Sequence, residues 1–219
     1  VKENDEWWGE GFTDWLAAKS AIPLFEGHVQ PKTPLDQNYY DLLEKSTMRQ
    51  QSRLMREYKV DGLCFYHYYF KEGRKILEKP AENLLNWRDI DMPYCFCWAN
   101  ESWARTWSNI RNKNSWFAKR EKAGGDGRDV LLEQKYGREK DWREHFEYLL
   151  PFFRDERYIK IEGAPVFLIY KPDEIYCLCQ MLDYWRKLAG ECGISGMYFV
   201  GVNIVSPKKG LDAILFNAP

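Results

Sequence analysis

Little in this sequence supports a metal centre, a phosphate site or a membrane anchor. Its 219 residues include 3 histidines, His28, His67 and His145, and none has a carboxylate at ligand spacing. No C-x-x-C pair occurs: Cys95/Cys97 and Cys177/Cys179 are spaced C-x-C, while Cys64 and Cys192 stand alone. A disulfide or zinc framework is therefore not expected, and free thiols in a reducing cytoplasm fit better. The sequence Gly124-Gly125-Asp126-Gly127 matches neither the dinucleotide nor the P-loop pattern and reads as a flexible loop. There is no G-x-S-x-G elbow for a hydrolase serine. No apolar run reaches the ~18 residues of a membrane span, and no signal-peptide pattern is seen. Charge of one sign is lacking too: 32 Lys+Arg balance 33 Asp+Glu. That removes the electrostatic case for nucleic acid, and the short basic stretch around Arg49, Arg53, Arg56 and Lys59 reads as a solvated helix face.

Aromatic residues are abundant. Trp 10, Tyr 14 and Phe 12 make up 16% of the chain. A large core accounts for some of them. Trp and Tyr also pair an apolar face with a polar edge, which suits stacking on the C–H faces of sugars.

The chain alternates apolar strand-like runs with amphipathic helical stretches. Residues 39–58 are helix-compatible, and a continuous apolar run over 63–70 follows. A helix around 81–87, a strand over 94–99 and a polar insertion over 102–138 come next, the last with a short strand near 130–134. A helix over 142–153 precedes two runs, 158–161 and 166–170, that read as a hairpin or an approach to a main strand. A helix over 174–192 closes at Gly193, then strands begin at 197 and 213. Residues 1–36 read as ordered loop with short helical pieces. This order predicts a parallel α/β sheet or barrel over 1–219, with no linker to divide it.

Polar and aromatic groups gather where the strands end. Tyr66, His67, Tyr68 and Tyr69 close one strand, Asn100 and Glu101 another, and Asn203 a third. Parallel α/β barrels build their sites at the C-terminal ends of their strands. Glu101 follows a buried strand and is flanked by Trp98 and Trp103, the partly desolvated setting a general acid/base needs. It can also cap the next segment or pair with Arg105. Glycosidic chemistry normally uses a second carboxylate. Asp14, beside Trp15, is the preferred partner, with Glu10 and Glu133 behind it, although Asp14 can instead serve the start of a helix after Thr13.

Several stretches taken in order resemble one family. They are residues 3–9 (ENDEWWG), 11–15 (GFTDW), 23–31 (PLFEGHVQP), 39–42 (YYDL), 64–68 (CFYHY), 77–80 (LEKP), 97–103 (CWANESW) and 157–160 (RYIK). Together they resemble the glycoside hydrolase family 99-like domain, or WbsX-like glycosyltransferase family, of bacterial surface-polysaccharide (O-antigen and capsule) gene clusters. The resemblance implies a (β/α)8 TIM-barrel-like fold acting on glycans, mannosides among them, with no cofactor and no metal. It carries Glu101 over as acid/base, with Asp14 standing where the family has Glu. Tyr66, His67, Tyr69, Trp15, Trp98, Asn100, Trp103 and Asn203 are expected around the substrate. The chain starts after the expected first strand, and it reads Phe216-Asn217-Ala218-Pro219 where relatives tend to have Glu-Phe-x-Pro. The expectation is an incomplete barrel that hydrolyses or transfers glycosidic linkages. The rival readings are a glycosyltransferase of lipopolysaccharide assembly and a non-catalytic glycan-binding barrel. Protein partners are left unassigned.

Overall fold

The computed structural model describes residues 5–6, 10–104, 130–204 and 210–216. Five strands form a parallel array: β1 (Leu63–Tyr69), β3 (Tyr94–Trp98), β7 (Ala164–Ile169), β8 (Tyr198–Val202) and β9 (Ala213–Leu215). They lie side by side in chain order, so each crossover steps one strand in the same direction. Short antiparallel pieces flank them, β2 (Lys75–Ile76) on β1 and β6 (Lys160–Ile161) on β7. Both readings of residues 158–170 hold: the stretch is a hairpin, and its second arm is a main strand. A separate antiparallel ribbon joins β4 (Trp103–Ala104) to β5 (Val130–Leu132).

The helices are α1 (Asp14–Lys19), α2 (Lys45–Glu57), α3 (Lys79–Asn86), α4 (Glu139–Arg154) and α5 (Leu178–Glu191). α2 begins six residues later than residue 39, where the helical pattern starts, and residues 39–44 are irregular. Thr13 caps α1, its hydroxyl accepting from Leu16 N at 3.2 Å, and Asp14 takes the first helical position, where a carboxylate complements the helix dipole. Gly193 follows α5 with a φ of +73°, a conformation that glycine adopts at no steric cost.

Strand register sorts the side chains into two faces. Phe65, Phe96, Phe167 and Phe199 form one cross-strand row. That row meets α4 and α5: Phe96 packs edge-on against Phe152, and Phe167 against Phe153 and Trp185. Trp185 and Phe167 are 0% exposed, and at about 25 cal/mol per Å2 of buried apolar surface this layer is the main source of stability. Tyr66, Cys97, Leu168, Val200 and Ala213 form the matching row on the opposite face.

Two devices hold the N-terminal end of the sheet. Tyr158 inserts between β3 and β7, its hydroxyl accepting from Phe96 N at 3.2 Å and donating to Val166 O at 2.9 Å, so both backbone groups are satisfied before the strands pair. Arg157 pairs with Asp155 at 2.6 Å and donates to the carbonyls of Leu84, Trp87 and Ile90, tying the end of α3 to the sheet. Gly62, before β1, is required by a close approach. A Cβ there would lie 3.1 Å from the Pro93 carbonyl oxygen and 2.9 Å from Ile159 Cδ1.

Candidate functional site

The C-terminal ends of β3 and β7 are bolted together by Asn100. Its Oδ1 accepts from Lys171 N at 2.8 Å, and its Nδ2 donates to Lys171 O at 2.8 Å. Tyr136 closes the arrangement by donating its hydroxyl to Asn100 O at 2.8 Å. Asn100 is 0% exposed. A carboxamide suits this place because it offers a donor and an acceptor side by side, matching the N–H and C=O of one residue. Asn100 therefore sets the local backbone geometry on either side of the site.

The next residue, Glu101, lies in reach of what Asn100 anchors. Lys171 Nζ stands 2.5 Å from Glu101 Oε2 and 3.5 Å from Glu174 Oε1. The hydrogen bond to Glu101 is the main cause holding the Lys171 ammonium above its ordinary pKa. Glu101 is thus presented as a carboxylate in an ion pair, partly open to solvent. Arg105, the pairing partner suggested by sequence, lies outside the described residues, as do residues 7–9, 123–127 and 217–219.

Aromatic rings surround this pair on the face away from α4 and α5. Tyr66 meets Tyr170 at 6.0 Å and Tyr68 at 6.4 Å, and Trp103 meets Tyr68 edge-on at 5.3 Å. Tyr66 is 52% exposed, so its ring is presented to solvent. Burial pushes the Tyr68 phenol up to about 12, with Tyr66, Glu101, Cys97 and Asp14 adding to the shift. Both carboxylates, Glu101 and Asp14, therefore lie within electrostatic range of one hydroxyl. Asn203 follows β8 at the same end of the sheet with a φ of +54°, its N–H donating to Leu215 O at 2.9 Å.

The structure places the other expected residues elsewhere. His67, Tyr69 and Trp98 face the helix layer. His67 Nε2 lies 2.8 Å from His145 Nε2, and the Tyr69 ring stacks on His145 at 3.8 Å. Trp98 donates Nε1 to Tyr69 O at 3.0 Å and packs against His145. Burial lowers both histidines, His67 to about 3, so the pair is neutral, with one Nε2 donating to the other. Trp15 donates to Tyr40 O at 2.9 Å and packs edge-on against Tyr39 and Tyr40, pinning α1 to the segment before α2.

Tyr170 and Lys171 sit in no motif of the sequence. They follow the apolar run of β7 as Ala99 and Asn100 follow that of β3, and the signal was that parallel. A cavity of about 20 Å3, room for about one water, lies on the helix side between Tyr69, Trp98, Tyr136, Trp142 and His145. It is too small for a sugar ring. Among the described residues no group of three or more His, Cys, Asp or Glu side chains is arranged to hold a metal, and no helix is long and apolar enough to cross a membrane.

A parallel α/β sheet with acidic and aromatic side chains at the C-terminal ends of its strands follows the plan by which α/β barrels build their sites. The model of the family described as Glycosyltransferase WbsX matches residues 1–218, and the chain belongs to that family. It is 34% identical over 217 residues to the uncharacterized protein WxcX of Xanthomonas campestris pv. campestris, strains B100 and ATCC 33913 alike. The alignment covers 97% of this chain and 29% of WxcX, so the chain spans less than a third of those relatives' length. A solved glycoside hydrolase-like protein shares the fold at a TM-score of 0.50 and 13% identity, over 81% of this chain and 51% of that one.

Proposed function

We propose that this chain carries the glycan site of a WbsX-type enzyme of bacterial surface-polysaccharide metabolism, on part of a (β/α)8 barrel. The observation that carries the reading is Glu101, held by Lys171 at 2.5 Å beside an open face of Tyr66, Tyr68, Tyr170 and Trp103. A sugar ring lies against the exposed Tyr66 with its hydroxyls toward Glu101 and Lys171. Sequential strand order supports the barrel, because a barrel wall advances one strand at a time in one direction. Paired with the Lys171 ammonium, Glu101 takes the part of the base that accepts a proton from an acceptor hydroxyl or water and afterwards returns it. Asp14, at the start of α1, is the second carboxylate. The six free thiols support a reducing compartment for the reaction.

Transfer and hydrolysis both use this arrangement, and mannoside-like sugars are the substrates we propose. The test is to incubate the chain with aryl mannosides and isolated O-antigen, following both binding by calorimetry and release or transfer of sugar. Binding with turnover supports the reading. Binding without turnover selects a glycan-binding barrel instead, and failure to bind any glycan overturns the assignment.

A further inference from the structure

Two carboxylates share the Lys171 ammonium. Its Nζ lies 2.5 Å from Glu101 Oε2 and 3.5 Å from Glu174 Oε1. Glu101 follows β3, whereas Glu174 closes the short 3₁₀ turn Pro172–Glu174 directly after Lys171. Both acids are referred to one backbone point. Lys171 O accepts from Asn100 Nδ2 at 2.8 Å and from Glu174 N at 3.1 Å. The buried Pro172 at the head of the turn stiffens it further, because its ring locks φ. The backbone around the cation is therefore held, and the flexible four-carbon lysine stem is the part that moves. With the ammonium partly in solvent, the stem changes rotamer without repacking the core.

We propose that Glu174 is a positioning residue, the second seat of the Lys171 ammonium, taken while Glu101 holds a proton. The assignment rests on the glycan reading above, in which Glu101 accepts a proton from an acceptor hydroxyl or water. In that step the acceptor O–H bond breaks, a Glu101 O–H bond forms, and Lys171 keeps its three protons throughout. Glu101 is then neutral, and its bond to the ammonium weakens to that of an uncharged acceptor. Glu174 keeps its charge. The ammonium crosses to it and returns when Glu101 gives the proton back. Without Glu174 the cation is left unpaired while Glu101 is protonated, so that state is raised and the resting state keeps its closer pair. Glu174 already acts on the cation, adding to the larger effect of Glu101 in holding the ammonium above its ordinary pKa.

The first test needs no glycan. Glu101→Gln copies the shape of a protonated Glu101, and its crystal structure should show Lys171 Nζ within about 3.2 Å of a Glu174 oxygen. An ammonium that stays on the residue 101 amide, or turns to solvent, would overturn the proposal. The second test is kinetic. Glu174→Gln should lower kcat about 2–5-fold with KM within about 1.5-fold, the size expected of a solvent-screened pair. In a Lys171→Met background the same change should leave kcat where it was, because Glu174 acts only through the cation. No loss in the wild-type background, or an equal loss in both, would also overturn it. A wild-type chain that turns over no glycan counts against the glycan reading alone, and the position of Lys171 in Glu101→Gln then decides whether Glu174 is the second seat.

Discussion

Lys171 Nζ and Glu101 Oε2 are 2.5 Å apart across the ends of two adjacent parallel strands. The lysine head is 41% exposed and the glutamate 29%, so solvent screens the pair and its contribution to folding is small, about 0–1 kcal/mol. Its consequence is for chemistry. Lys171→Met is expected to change the denaturation midpoint very little while altering the pH profile of turnover, because the cation paired with Glu101 is gone. Lys171→Arg should keep most of the wild-type profile. An unchanged profile in Lys171→Met would separate the pair from catalysis.

Asn100 behaves differently because it is fully buried. Asn100→Ala leaves the Lys171 N–H and C=O without their partners, at about 1–3 kcal/mol for each unsatisfied group. Urea denaturation should show a loss of about 2–4 kcal/mol. Asn100→Asp should also destabilise, since it sets an acceptor against the Lys171 carbonyl.

The buried histidine pair gives an acid-side dependence. His67 and His145 have folded pKa values below the unfolded value of about 6.5, so the unfolded chain binds more protons in that window. The His67 contribution is complete above pH about 6.5 and is lost as the pH falls toward about 3, and His145 changes in the same direction. Between pH 7 and pH 5 the loss is on the order of 2 kcal/mol for His67. Denaturation midpoints measured at both pH values should show it. The double variant His67→Phe/His145→Leu should flatten the slope even if it is less stable at pH 7.

Tyr66 is exposed, so removing its ring should affect binding rather than folding. Tyr66→Ala is expected to weaken glycan affinity about 5–10-fold, with a stability change within about 0.5 kcal/mol. Calorimetric titration checks the first and thermal denaturation the second.

The sequence marked element types well because apolar runs and helical periods are local signals. β3 lies where those signals put it, and the helix before Gly193 ends there but begins four residues later than residue 174. Which side of a strand faces the helices was not legible. β1 is apolar at almost every position, and a run without period-two alternation carries no parity. Sequence alone therefore groups His67 and Tyr69 with Tyr66, although alternation sends them to the opposite face. The His67–His145 contact spans 78 residues, beyond any local pattern. Lys171 was overlooked for a related reason, because its link to Glu101 arises only when β3 and β7 pair in register.

The central claim is that Glu101 performs acid/base chemistry on a glycan bound at the open aromatic face. Its most direct test is turnover and affinity measured side by side in Glu101→Gln, which keeps the shape and removes the charge. Turnover should fall by about 10²–10⁴-fold while glycan affinity stays within about 3-fold. Turnover equal to wild type would contradict the account.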